Sequence, residues 1–515
     1  MTAATDAPVR PIVTASAWDA PVSLLRLLRI ELRRSSVMLI LPLVAALFWF
    51  DSYRPSTAQQ PFWVLRTFWN MGQGHTIIDV GPFVAGMAAW IASRDGRRGT
   101  TDLVSTTVRA RWTTRLASWA ATAIWAVAAY LVFVGVIFGV YAYQGVTGQV
   151  PWWWVAVGAT AVAAFSAAGF AVGAFFPSRY AAPLAAFGGF LAMVLSAQTG
   201  FRDRTGWALV LPTNSNGNYD QQDSGIFYHY LPDLPIARII FLAGILVACL
   251  GLLGLPSGAG RRWSRGATGR WSRRTAAVVT LVGVAVTGTA VGLAATARPS
   301  PQGMAIAALH DTANDRPIDY TPVCGTAAQT PVCLNPAYRR YLTDVTAALA
   351  PVLTQVAGLP GAPERVTQVA ATYDTRGAMT ISGSPPVLSI PLGAESSLPG
   401  TSGFHEGVTT TTQFGNILRA QFTQAFVGAG INDDNAARQA VAGTLLLRAG
   451  VPLADLPKLK AIAQEGPGPE VGPATGPVYA AAQRLAALPD TTLHAWLAAH
   501  LVALRAGGLT LDQLP

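Results

Sequence analysis

The sequence predicts a membrane all-α domain of about seven transmembrane helices, N-terminus in and C-terminus out, joined to an α+β extracytoplasmic domain. Three observations predict it. Of the 515 residues, 51% are hydrophobic and only 12% are charged, whereas soluble chains carry about 25% charged residues, and the mean hydropathy is +0.37. The hydrophobic residues gather into seven runs of membrane-spanning character. The arginines between those runs alternate between dense and sparse segments.

A helix needs about 20 apolar residues to cross the hydrocarbon core. The candidate spans are 35–50, 75–93, 116–143, 153–176, 181–197, 236–255 and 275–297. Helices are the structure that such runs allow, because hydrocarbon leaves no partner for an unpaired backbone group. The first run is short, and the second carries Asp79 and Pro82. An acid inside a span can mark a transport pathway. Asp79, however, lies close enough to the outer end to reach water or cap its helix. Phe62, Trp63, Phe68 and Trp69, and again Trp152, Trp153 and Trp154, fall where aromatic rings favour the bilayer interface. Gly169/Gly173 and Gly288/Gly292 have the spacing that lets helix backbones approach closely.

Orientation follows from the arginines. With the N-terminus inside, the inner segments hold 18 arginines and the three short outer loops hold four: Arg54, Arg66, Arg202 and Arg204. That asymmetry obeys the positive-inside rule with all seven spans counted. It also explains the net charge of +10, since the 23 arginines up to Ala297 face only 11 acids, whereas from Arg298 onward 13 basic residues face 15 acids. The basic excess sits in the apolar half, so nucleic acid is excluded as a partner and the lipid bilayer is implied. The first 35 residues lack an early apolar core, which predicts that the first span, and no cleaved leader, directs insertion.

Two inner elements stand out. SLLRLLRIELRR, residues 23–34, places Leu24, Leu25, Leu27, Leu28 and Leu32 on one stripe and Arg26, Arg29 and Arg33 at helical spacing. Such a helix lies in the interface with its arginines on anionic headgroups; the plainer reading is a charged flank of the first span. Between the second and third runs, the loop 94–119 contains Arg98-Gly99-Thr100 ahead of a short helix expected from Thr101, with Asp102 in its first turn. An acid there suits the helix dipole. The loop is longer than two antiparallel helices need, although a basic hairpin that only fixes topology is the simpler alternative.

With these two elements in place, the chain resembles a permease subunit of the type-2 ABC exporter family. In that family an interfacial elbow helix precedes the first span. A short coupling helix between spans two and three, often preceded by an acid-basic-Gly-Thr pattern, docks on a separate ATPase. Asp95, Arg97, Arg98, Gly99, Thr100 and Asp102 match that pattern. The acid here is Asp where Glu is commoner, and Thr106 to Val108 lack a proline often found there. The resemblance covers roughly residues 20–255. It implies separate ABC ATPase subunits as partners, a second permease copy or homologue, and ATP with Mg bound by the ATPase and not by this chain.

The chain itself offers no standard catalytic or metal constellation. No GxxxxGK[ST] occurs, and neither of its two lysines, Lys458 and Lys460, follows a glycine. His405-Glu406 begins like a zinc-binding HExxH, but the second imidazole position is Thr409. His494 and His500 are six residues apart and share no helix face. No GxSxG is present either. A membrane-embedded hydrolase is therefore disfavoured, and no catalytic residue is assigned.

From Arg298 the pattern becomes mixed. Helical spacing runs over 336–359, short strands are expected at 366–373, 378–382 and 387–391, and helices at 411–427, 434–449, 477–488 and 491–506, the last capped by Asp490. Cys324 and Cys333 flank an eight-residue loop and read as a disulfide in an oxidising space. Cys249 lies in an apolar run and reads as packing. The polar stretch 213–223 is placed to contact this domain.

The expected organisation is a cytoplasmic N-terminus with elbow helix (1–34), a six-helix permease-like domain (35–255), a basic linker (256–274), a seventh span (275–297) and the extracytoplasmic domain (298–515). The leading functional expectation is the membrane subunit of an ATP-driven exporter in the cell membrane. The alternative is a membrane-anchored extracytoplasmic binding or sensing protein without transport.

Overall fold

The computed structural model describes residues 19–34, 46, 62–63, 80–99, 111–200, 205–211, 225–255, 267–300, 303–370, 378–392, 398–399, 410–429, 434–457 and 475–515. The N-terminal part is a helical bundle: α1 (Asp19–Arg34), α2 (Gly81–Ala92), α3 (Arg94–Arg97), α4 (Arg111–Tyr143), α5 (Trp152–Phe175), α6 (Ala181–Gly200), α7 (Gly206–Val210), α8 (Asp233–Leu252) and α9 (Ala267–Ala295). Among the described residues, four stretches are long and apolar enough to cross a membrane: Trp112–Tyr143, Trp152–Phe175, Asp233–Leu252 and Arg273–Ala295. Gly81–Ala92 and Ala181–Ser196 are apolar but shorter. The apolar helices fit a membrane protein. The predicted run 35–50 lies outside the described residues except for Ala46, and Asp79 lies outside them too.

Glycines set the closest helix contacts. A Cβ on Gly169 or Gly173 of α5 would overlap the backbone of Ala85 or Ala89 on α2, so α2 and α5 touch backbone to backbone as that glycine spacing predicts. The α8–α9 contact departs from expectation. Gly288 and Gly292 face open space. The close approach is made instead by Gly244 and Gly251 of α8 against Thr287 and Thr280, and by Gly283 of α9 against Ala248. With 50 glycines in the chain, four-residue spacing alone does not identify the packed face.

The C-terminal domain is α+β. A hairpin, β1 (Ala297–Ser300) and β2 (Gly303–Ile306), follows α9 almost directly. A five-stranded sheet has the order β3-β4-β5-β7-β6, with β3 (Val323–Ala327), β4 (Thr330–Leu334), β5 (Arg365–Val369), β6 (Thr380–Ser382) and β7 (Val387–Pro391). Its centre, β4-β5-β7, is parallel, and both edge strands are antiparallel. Between β4 and β5 comes α10 (Leu342–Val356), which buries Val345, Leu349, Val352, Leu353 and Val356 together with Val332, Leu334, Val366, Leu388 and Ile390 of the sheet. The remaining helices are α11 (Thr411–Val427), α12 (Ala436–Arg448), α13 (Pro477–Ala486) and α14 (Asp490–Arg505). The start of α11 is fixed by a capping box between Thr410 and Gln413, and its end by Gly428 at φ +72°.

Two sequence expectations need correction here. The segment between Cys324 and Cys333 is not a loop but the β3–β4 hairpin, in which the two cysteines are direct partners. Their disulfide is formed, with the Cα atoms 4.1 Å apart. Asp490 does not cap α14. Pro489 occupies the cap, and Asp490 lies in the first turn with its carboxylate 2.6 Å from Nη1 of Arg448.

Candidate functional site

One end of the bundle gathers Arg94, Arg97, Arg98, Arg115 and Arg179. There α2 stops at Ser93, whose hydroxyl donates to the Trp90 carbonyl at 3.1 Å. The chain then makes the single turn α3 and leaves it at Gly99, at φ +67°, where a residue without Cβ is favoured. Arg97 folds back: its Cζ sits 3.4 Å from the Trp90 ring centroid, and Nη2 donates to the Trp90 carbonyl at 2.9 Å. Arg94 lies 3.9 Å from Glu31 of α1 and 3.5 Å from Asp95. Gly96 lies directly on Pro177 of the α5–α6 corner, with no room for a Cβ between them.

The predicted docking residues thus divide. Asp95, Arg97, Arg98 and Gly99 share one compact turn, with Arg98 and Gly99 exposed and Arg97 folded over the exposed Trp90 ring. Thr100 and Asp102, and the expected helix from Thr101, lie outside the described residues. Gly96 and Pro177 were missed, since neither carries a polar group that would draw attention in a sequence. Beside them the α5–α6 corner exposes Phe176 and Tyr180, with Arg179 above the Tyr180 ring at 5.0 Å.

In α1 the residues Arg26, Arg29 and Arg33 are exposed, whereas Leu27, Leu28 and Leu32 are half-buried. The helix is tied to the bundle by Trp125 Nε1, which donates to the Leu32 carbonyl at 3.0 Å. At the same end Trp112 and Arg115 of α4 donate to the carbonyls of Leu250 and Leu253, at 3.1 and 3.0 Å. These bonds satisfy carbonyls that the last turn of α8 leaves open.

The opposite end holds a buried arginine. Arg238, in the second turn of α8, is fully buried; its Nε donates to the Leu209 carbonyl at 3.0 Å and its Cζ lies 5.2 Å from the Trp154 ring. The Tyr230 hydroxyl is buried nearby, and burial pushes it well above the usual phenol range against the opposing pull of Arg238. The available signal was an arginine just inside the predicted span 236–255.

Among the described residues no group of three His, Cys, Asp or Glu side chains stands together as a metal site. His405, Glu406 and Thr409 lie outside the described residues. His494 engages the Ala357 carbonyl at 2.9 Å, and His500 stacks on Trp496 with ring centroids 4.9 Å apart. No protein-family model matches this chain, and neither a characterised protein nor a solved structure matches it.

Proposed function

We propose that the chain is the transmembrane permease subunit of an ATP-driven exporter, crossing the cell membrane seven times with its N-terminus in the cytoplasm and residues 298–515 outside. A separate ABC ATPase, which binds ATP and Mg, docks on the turn after α2. A second permease copy or a homologue completes the path. The observation that carries this reading is the α2–α3 turn. It is wedged against the α5–α6 corner through Gly96 and Pro177, tied to α1 through Arg94 and Glu31, and presents Arg98 and Gly99 outward. A push on that turn reaches three helices at once, which a plain topology-fixing hairpin does not require.

The bilayer placement is supported by the aromatic ends. Exposed Trp152 and Trp153 open α5, and exposed Phe176 follows its end. The 24 residues of α5 span about 35 Å at 1.5 Å per residue, enough for a hydrocarbon core of about 30 Å. The exposed Arg26, Arg29 and Arg33 suit the inner headgroups.

The test is co-purification of the full chain with an ATPase carrying a Walker-A sequence encoded beside it, followed by ATP-hydrolysis and transport assays. Asp102→Arg is expected to leave membrane insertion normal and to abolish the coupling of hydrolysis to transport. Normal coupling in Asp102→Arg removes the docking assignment. Failure of any such ATPase to bind or support transport favours the anchored binding protein instead.

A further inference from the structure

The C-terminal domain is not strung from α9 by a free linker. Thr296 alone separates α9 from β1. The β1–β2 hairpin buries Ala297, Met304 and Ile306 in one cluster with Leu209 and Val210 of α7, Leu234, Ala237 and Phe241 of α8, and Ala290 and Ala294 of α9. Its apolar side chains therefore belong to the core of the helical bundle.

Asp233 fixes the hairpin in place. It is the first residue of α8, only 2% exposed, and its Oδ2 accepts from the Ile306 backbone N–H at 2.7 Å. A carboxylate at a helix N-terminus is favoured by the dipole. Here it satisfies a donor on another element, where a bond to a charged acceptor is stronger than a neutral one. The chain then turns at Ile306, whose carbonyl accepts from the N–H groups of Leu309 and His310.

Farther on, the same segment pairs with the connection between α7 and α8. Tyr228 and Pro317 form an antiparallel bridge, and the Ile318 N–H donates to the Phe227 carbonyl at 2.7 Å. Phe227 packs edge-on to Tyr320 with centroids 5.8 Å apart. Ile226 and Phe227 continue into the core of the C-terminal domain, where Phe62 also lies against Tyr338 at 4.7 Å.

We propose that residues 297–300 and 303–320 form a mechanical strap, pivoted on Asp233, that makes the C-terminal domain and the α7–α8–α9 end of the bundle move as one body. A displacement of the domain then shifts α8, and a shift of α8 displaces the domain. The proposal goes beyond the exporter reading and does not use it, because the strap would work equally in a protein that senses. A flexible tether would need neither a buried carboxylate at its root nor a second pairing with the connection before α8.

Hydrogen–deuterium exchange on the full chain in lipid nanodiscs tests it. In Asp233→Ala, amides of 303–310 are expected to exchange at least about tenfold faster. Those of α7 and of 230–240 are expected to speed up with them, while β5 and α11 stay unchanged. Tyr320→Ala, on the domain side, is expected to speed exchange at 230–240 at least about threefold, and this exposed position keeps the test open if Asp233→Ala does not fold. Faster exchange of the hairpin alone overturns the strap, as does Tyr320→Ala leaving 230–240 unchanged.

Discussion

Gly96 and Pro177 are in backbone-to-ring contact, and the space between them does not admit a single methyl group. The two residues belong to separate connections of the bundle, so the contact joins the turn after α2 to the corner between α5 and α6.

Gly96→Ala is therefore expected to destabilise the protein by about 1–3 kcal/mol through overpacking. Gly99→Ala meets no neighbour but must hold φ +67°, which costs about 1 kcal/mol. Thermal unfolding in detergent should rank Gly96→Ala as the lower-melting variant, and the reverse order would show that the turn is not wedged on Pro177.

The glycine pairs of α5 and α9 should respond oppositely. Gly169→Ala and Gly173→Ala drive a methyl into the backbone of α2 and are expected to cost about 1–3 kcal/mol each. Gly288→Ala and Gly292→Ala face open space, so the better helix propensity of alanine should leave stability unchanged or raise it by up to about 1 kcal/mol. Equal losses at all four sites, read from melting temperatures, would contradict these faces.

The β3–β4 turn places Ala328 at φ 48° and Gln329 at φ 73°. Both are side-chain-bearing residues in the left-handed region that a two-residue hairpin turn requires, where Asn-Gly is the usual choice. Gln329→Gly should stabilise the protein by about 1 kcal/mol, seen as a raised melting temperature with the disulfide intact. A lowered melting point would refute the turn geometry.

Arg448 and Asp490 separate a useful contact from an idle one. The Asp490 side chain is 98% exposed, and an exposed ion pair contributes little. Asp490→Ala is thus expected to leave the unfolding midpoint unmoved. Arg448 also donates to the carbonyls of Ala486 and Leu488, which its removal strands, so Arg448→Ala should cost about 1–3 kcal/mol. Denaturant titration of the two variants decides the matter.

Elements that carry their own signals were legible in the sequence. β7 and α11 begin and end at the expected 387–391 and 411–427. The hairpin around the cysteines was not legible, because Ala328 and Gln329 give no turn signal and only pairing reveals the strands. β1 and β2 are four residues each, too short for a period to emerge. At the candidate site, Asp95, Arg97, Arg98 and Gly99 announced themselves by charge and glycine, whereas Gly96 and Pro177 acquire their role only by meeting each other.

The sequence by itself determined that this chain is rich in apolar helices and that a cystine-bearing α+β domain follows them. These are consequences of composition and local period, which act over one or two turns of chain. Only the tertiary structure decided that Gly283 and not Gly288 faces α8, that Arg238 is buried beneath Trp154, and that Asp233 holds Ile306. Such facts depend on which faces meet across long loops, and no local pattern encodes the partner of a buried glycine or a buried charge.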